Sequence, residues 1–142
     1  MHPDRPNAPG YLANLMARLF HDVSGAGLHP LGIRPEQFPV LVQLWFAGGA
    51  SRASLADSLE LDPPRTDALV QSLADDGLIA SFPVDSKENL VLTDKGTAAR
   101  DPAMPAARRA NQAAASALSD PEMTEFLALM NRVIDALQQA SA

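Results

Sequence analysis

The sequence contains no cysteine, and this absence removes a whole class of chemistry. Disulfide bonds, thiolate metal sites and thiol-based redox sensing are all excluded. Aromatic residues make up only 5% of the 142 residues, so we expect a core built mainly of Leu, Ala, Val and Met. Because 46% of the residues are apolar, the chain has enough apolar material for a single-domain core.

Long apolar segments are also missing. No uninterrupted apolar run approaches about 18 residues, so we expect no segment to span a membrane and no membrane partner. The N-terminal stretch MHPDRPNAPG lacks an apolar signal segment, and this predicts a cytoplasmic protein. Residues 1–9 hold three prolines and show no apolar periodicity, which predicts a flexible N-terminal arm.

No combination of residues typical of an enzyme is present. The three histidines, His2, His21 and His29, lack ligand spacing with a carboxylate partner, so we expect neither a metal nor another cofactor. The glycine pairs at Gly25-x-Gly27 and Gly48-Gly49 lack the Lys-Ser/Thr that follows in phosphate-binding loops. No serine lies in a G-x-S-x-G motif. We therefore expect that the protein is not an enzyme.

The helix caps and stops in the segment from Ser51 to Gly96 predict two helices followed by a two-stranded ribbon. Asp62 is a good N-cap for a helix that begins with proline, and Gly77 follows its predicted end, where a left-handed residue is favoured. The predicted helices, Arg52–Leu59 and Pro63–Asp76, are joined by a short link. This pattern predicts a helix-turn-helix with the second helix as the recognition helix.

The residues after this helix pair predict a wing and a further helix. Residues 78–83 and 90–92 are expected to pair around a polar tip, and Thr93 is expected to cap a helix that starts at Asp94. A later helix contains Pro102 and Pro105, so we expect a kink or break between Asp101 and Pro105. Alanines recur from Ala103 to Ala117, either as a small-residue stripe for close helix approach or because alanine favours helices.

The order of these elements resembles the MarR family of bacterial winged-helix regulators over about residues 11–137. The elements that carry the resemblance are Leu55-Ala56, Leu59, Leu61-Asp62-Pro63, Asp76-Gly77-Leu78-Ile79, Asp85 and Val91–Gly96. The resemblance implies a mainly α fold with a small antiparallel β-wing, formed by a winged helix-turn-helix lobe and a helical dimerisation lobe. It also implies a homodimer that binds pseudo-palindromic operator DNA and is often released by a small molecule.

The expected division of the chain follows from this resemblance and from helical periodicity. Residues 10–33 and 98–142 are expected to form the dimerisation region, and residues 34–97 the DNA-binding lobe. The first helix is expected to end at Gly25 and Gly27. The second is expected to begin near Pro35 and to stop at Gly48-Gly49.

The last helix has a clear start and a long apolar stripe. Ser119 and Glu122 fit a capping box, and apolar residues then recur for four turns. A lobe this small has little left to cover such a stripe, so we expect a dimer; the alternative is that the first and last helices pack on each other within one chain. The residues expected in the dimer interface are Tyr11, Leu12, Leu15, Met123, Phe126, Leu127, Met130, Ile134 and Leu137.

The start of each helix in the helix-turn-helix supplies the expected DNA contacts. Arg65 is expected to reach a guanine edge or a phosphate, and Arg52 a phosphate. In the family the wing typically carries an arginine, and Lys87 occupies that place here. The complete set of expected DNA-binding residues is Ser51, Arg52, Ser54, Pro64, Arg65, Thr66, Asp67, Ala68 and Lys87.

Charge argues against this assignment. Residues 34–96 hold five basic and ten acidic residues, whereas DNA-binding domains usually carry a basic footprint. Asp67 is expected either to approach phosphate or to need a cytosine N4 donor. An alternative is therefore a dimeric winged-helix scaffold with little DNA affinity, acting as a small-molecule or protein-binding module.

A ligand pocket for a small aromatic effector is expected from the resemblance, between the two lobes. The residues expected to line it are Leu19, Phe20, His21, Phe38, Val42 and Trp45. The alternative is that these side chains belong to the ordinary core.

Overall fold

The computed structural model describes residues 4–142, which form seven α-helices and one two-stranded sheet. The elements are α1 (Pro9–Leu28), α2 (Phe38–Ala47), α3 (Arg52–Leu59), α4 (Pro63–Asp75), β1 (Ile79–Val84), β2 (Lys87–Leu92), α5 (Asp94–Ala98), α6 (Arg100–Ala115) and α7 (Asp120–Ala140). Of the predicted arm, residues 1–3 lie outside the described residues, and residues 4–8 are exposed and precede the first helix. Across residues 4–142, no helix combines the length and apolarity needed to cross a membrane.

The helix-turn-helix forms where the sequence predicts it. The Asp62 carboxylate accepts the backbone N–H of Arg65 at 2.8 Å, so it caps α4 at the predicted position. Glu60 terminates α3 in the left-handed region with φ of 55°, and Gly77 follows α4 with φ of 73°. The sharp stop after α3 leaves only a short link between α3 and α4.

The wing is a β-hairpin whose turn has two residues. β1 and β2 pair antiparallel from Ile79 opposite Leu92 to Val84 opposite Lys87, which extends both strands toward the tip beyond the predicted ribbon. The turn residues Asp85 and Ser86 both have positive φ, 51° and 65°, as the tight turns that match strand twist require.

The winged-helix lobe is built around a core of aliphatic side chains, as the composition predicts. Its fully buried residues include Leu28, Ile33, Val40, Leu41, Leu44, Leu55, Val70, Leu73, Leu78, Ile79 and Leu90. Trp45 borders the core, where its indole N–H donates to the Gly96 carbonyl at 2.9 Å and its ring meets Phe38 edge to face. The polar end of the tryptophan is thereby satisfied without solvent.

The first helix does not end at Gly25 and Gly27, and that prediction is wrong. α1 continues through both glycines to Leu28. A Cβ atom placed on Gly27 would lie 2.5 Å from the Cβ of Ala106 in α6, which is far inside van der Waals contact. The glycine therefore permits a close helix contact here instead of ending a helix. The alanines of α6 do serve this close approach, since Ala103 and Ala110 are buried.

The predicted break between Asp101 and Pro105 falls earlier, at Ala99 between α5 and α6. Pro102 has no N–H for the carbonyl of Ala98, and its ring crowds that carbonyl, so the interruption falls in the turn before the proline. Pro105 lies inside α6 without ending it.

The last helix has the predicted capping box but is not buried against the rest of the described chain. The Ser119 hydroxyl accepts the N–H of Glu122, and the Glu122 carboxylate accepts the N–H of Ser119. None of the 21 residues of α7 is buried. The alternative packing of the two terminal helices on each other is not observed, because α1 packs along α6. The apolar face of α7 therefore stays open, with Leu137 64% exposed.

Candidate nucleic-acid interface

Arg52 joins three elements at the start of the helix-turn-helix. Its guanidinium donates from Nε to Glu88 Oε1 at 2.6 Å and from Nη2 to Glu88 Oε2 at 3.3 Å. Its Nη1 donates to Asp67 Oδ1 at 3.0 Å. α3, α4 and β2 are thus connected through one side chain, in the two-pronged geometry that arginine favours with carboxylates.

The pairing of Arg52 with Glu88 favours the charged form of both side chains. The hydrogen bond from Arg52 lowers the pKa of Glu88, and a further bond from the Ser81 hydroxyl at 3.0 Å acts in the same direction. The hydrogen bond to Glu88 likewise raises the pKa of Arg52. The three charged side chains leave one net negative charge, and Asp67, which the sequence predicts to approach phosphate or a cytosine amino group, is paired with Arg52.

Arg65 and Lys87 are the cations that this face presents outward. The Arg65 side chain is 77% exposed and pairs with Asp62, its own helix cap, at 3.2 Å. An exposed ion pair of this kind contributes little to stability, so Arg65 can exchange Asp62 for another anion. Lys87 is exposed at the first position of β2, next to the hairpin turn. Both side chains can therefore reach an external anion.

Most of the other expected contacts are exposed beside these cations, with one exception. Ser51 and Ser54 are exposed at the start of α3, where the Ser51 hydroxyl caps the helix by accepting the Ser54 N–H at 3.1 Å. Pro64 and Ala68 are exposed on α4. Thr66 is only 4% exposed, and its hydroxyl donates to the Asp62 carbonyl at 2.9 Å, so it lies in the core and away from this face.

A second polar cluster anchors the far end of α4. Gln37 is fully buried and donates from Nε2 to Asp76 Oδ2 at 2.7 Å and to the Ser72 hydroxyl at 3.2 Å. The hydrogen bond from Gln37 lowers the pKa of Asp76, and the nearby Arg34 guanidinium adds to this effect. Sequence reasoning missed Gln37; the available signal was an amide at the start of an otherwise apolar helix.

The expected ligand-binding residues do not share one cavity. Leu19 and Phe20 line an apolar groove of about 150 Å³ between α1 and α6. His21 lines a different pocket, of about 400 Å³, near the end of α1. Phe38 and Trp45 pack against the core. Val42 is half-buried in α2. Within residues 4–142, no group of histidine and carboxylate side chains is arranged to hold a metal ion.

The fold has clear counterparts among solved structures. No protein-family model matches the sequence, and no curated protein matches it significantly. The S. aureus MepR–DNA complex aligns with a TM-score of 0.80 at 21% identity, over 92% of this chain and 96% of that chain. The PcaV transcriptional regulator from Streptomyces coelicolor, solved with its natural ligand, aligns at 0.79 and 22%, over 96% and 99%.

A third counterpart is a MarR family protein from Mycobacterium tuberculosis in complex with DNA. It aligns with a TM-score of 0.60 at 26% identity, over 90% of this chain and 98% of that chain. The chain therefore has the MarR-like winged-helix fold. The predicted fold class, mainly α with a small antiparallel wing, is confirmed.

Proposed function

We propose that the protein is a transcriptional regulator that binds double-stranded DNA as a homodimer. In this proposal α4 enters the major groove of each half of a pseudo-palindromic site, and the wing contacts the flanking backbone. The protein is cytoplasmic, requires no cofactor and catalyses no reaction. Two of the similar structures contain DNA by their own description, and this agrees with the proposal.

The observation that carries the proposal is the outward presentation of Arg65 at the capped start of α4. Helix N-termini favour anions through their free N–H groups, and an exposed arginine there suits a guanine edge or a phosphate. The acidic excess of the lobe argues against DNA less strongly than its count suggests. Asp67 and Glu88 share Arg52, while Asp76 lies at the far end of α4 with Gln37 and Arg34.

The homodimer is supported by the open apolar face of α7. Leu127, Ile134 and Leu137 are each more than 40% exposed in the single chain. An obligate interface that covers this face and the exposed part of α1 should bury more than about 2,000 Å² in total. We propose that residues 10–33 and 98–142 form this interface, while residues 34–97 contact DNA.

A gel-shift titration against the DNA that flanks the protein's own gene tests the proposal. With two outward cations per lobe, the logarithm of affinity should fall with the logarithm of salt with a slope near about −4. Arg65→Ala should weaken binding by about 1–3 kcal/mol and relax specificity at one base position. Arg108→Ala, which removes an exposed arginine from α6, is the matched control and should bind as the wild type does. If no fragment is bound even at low salt, the alternative of a scaffold without DNA affinity replaces this proposal.

We further propose that a small aromatic ligand modulates DNA binding. The PcaV structure contains a natural ligand by its own description, and beside α1 lie an apolar groove of about 150 Å³ and a pocket of about 400 Å³ with both polar and apolar walls. Trp45, the single tryptophan, lines neither pocket, so its fluorescence reports a ligand through changes in the core, whereas the melting temperature reports binding directly. A panel of aromatic acids and phenols should shift this fluorescence or raise the melting temperature; a panel without either effect would remove the support for a ligand.

A further inference from the structure

We propose that Arg52 does not contact DNA but is a positioning residue that locks the recognition helix to the wing and shields Asp67 and Glu88 from the phosphates. This inference rests on the proposed DNA-binding function. The inference changes the expected role of Arg52 from a phosphate contact to a positioning residue, because its hydrogen bonds are made within the protein.

The hydrogen bonds of Arg52 explain why it is not available to DNA. Three of the five N–H groups that an arginine carries are engaged, two with Glu88 and one with Asp67. Its side chain is 38% exposed, half the value for Arg65. The hydroxyl of Ser81 donates to the same carboxylate and orients it. The arrangement is a closed network that spans α3, α4 and both strands of the wing.

Electrostatics opposes any transfer of Arg52 to a phosphate. Such a transfer would gain one contact with an anion, but it would leave Asp67 and Glu88 unpaired beside a polyanion. Two lost pairs and new repulsion outweigh one gained pair at comparable distances. Arg65 faces no such penalty, because leaving Asp62 exposes a single carboxylate that still accepts the N–H of the helix it caps.

The same network places the cation of the wing. Glu88 is the residue next to Lys87, and successive side chains of a strand point to opposite faces. Because Arg52 holds Glu88 against α3, the opposite face with Lys87 is turned outward. The bonds of Arg52 with Glu88 and Asp67 thus set the distance between Arg65 and Lys87.

Three variants separate a positioning role from a phosphate contact. Arg52→Gln alone should lower operator affinity about tenfold or more, because four carboxylates in a dimer then face phosphate without a cation. Adding Asp67→Asn and Glu88→Gln should restore affinity to within about threefold of the wild type, since the carboxylates that needed shielding are gone. The matched control is Arg52→Gln with Asp57→Asn and Asp101→Asn, which has the same net charge, removes no carboxylate from the wing and should stay weak. Fluorescence anisotropy with an operator duplex measures all three.

The salt dependence of binding distinguishes a phosphate contact by Arg52 from a positioning role. If Arg52 were a phosphate contact, the triple variant without the network would lose about two units of salt slope per dimer and would not be rescued. That outcome, or equal rescue by the control, overturns the proposal. An unchanged slope with selective rescue supports it. Urea unfolding of each variant verifies that the proteins compared are folded.

A measurement on the free protein distinguishes failure of this inference from failure of the proposed function. If the wild type binds no DNA fragment, the proposed function fails, but the network is still tested by an NMR titration of the side-chain carboxyl of Glu88. Arg52→Gln should raise the pKa of Glu88 toward its ordinary value, while Arg65→Gln should leave it unchanged. If Arg52→Gln does not move this pKa, the network is not present in solution and the inference is wrong.

Discussion

The winged-helix lobe and helix α7 differ in how each is held. In the lobe, α2, α4 and both strands contribute side chains that are less than 4% exposed. Helix α7 is the longest element and has a complete capping box, yet none of its residues is buried. Capping thus determines where a helix begins, whereas burial supplies most of the free energy that holds it. The lobe carries its own core, whereas α7 buries none of its residues on the rest of the described chain.

The largest effect is expected from a charge placed on the open face of α7. Leu127→Asp or Met130→Asp should dissociate the dimer, because an unpaired carboxylate in a dimer core costs about 4 kcal/mol. Ala128→Asp adds the same charge to the opposite side of α7 and should leave the dimer intact. Size-exclusion chromatography with light scattering reports the mass. A wild type that is monomeric at micromolar concentration would contradict both the prediction and the comparison.

The next largest effect is expected inside the lobe. Leu73→Ala should lower the free energy of unfolding by about 3 kcal/mol, because Leu73 is fully buried and its truncation leaves a cavity. Leu129→Ala makes the same change on α7, where Leu129 is 45% exposed and lies off the main apolar stripe, and should have a small effect. Urea denaturation gives both values. Equal losses would show that α7 is packed as tightly as the lobe.

The close contact between α1 and α6 tests the connection between the two regions. Gly27→Ala should destabilise the protein by about 2 kcal/mol, because its new methyl group meets the Cβ of Ala106. Ala106→Gly in the same chain should restore most of the loss. Gly10→Ala, also in α1 but with open space around it, is the control. Melting temperatures of the four proteins suffice, and a neutral Gly27→Ala would show that the helices are further apart.

Removal of one helix cap from each region should give smaller and similar losses. Asp62→Ala and Ser119→Ala should each lower stability by about 1 kcal/mol, because each leaves a helical N–H without its acceptor. The two losses should differ in their dependence on protein concentration. The loss from Ser119→Ala should change with concentration, since α7 is stabilised by association. Thermal melts at two concentrations make this comparison.

The smallest effect concerns the pH dependence of Asp76. Its pKa is lowered in the folded protein, first by the hydrogen bond from Gln37. Its contribution to stability is therefore present above the ordinary aspartate pKa of about 4, and it is lost as pH falls through the lower folded value. Gln37→Met should raise the pKa of Asp76 and flatten this loss. Urea unfolding at neutral pH and at about pH 3 measures it; an identical pH response in the variant would contradict the assignment.

Local signals predicted more of this molecule than distant contacts did. Asp62, Thr93 and Ser119 each cap a helix at the predicted residue, because a cap is recognised from the few residues that follow it. The partners of Arg52 lie 15 and 36 residues away, and no local pattern reveals them. The sequence therefore predicts Asp67 beside phosphate or a cytosine amino group and does not reveal its pairing with Arg52. Nor does the sequence around Gly27 indicate that another helix passes over it.

The contact between Gly27 and Ala106 also determines where the molecule can bend. Helices this close cannot slide past one another without a clash, so the contact keeps α1 and α6 in register. Any change in the angle between the helical region and the wing must then be absorbed outside this pair. The available positions are the interruption at Ala99 and the residues that link α1 to α2. In the proposed DNA-binding dimer, a signal from the helical region would reach α4 through these two segments.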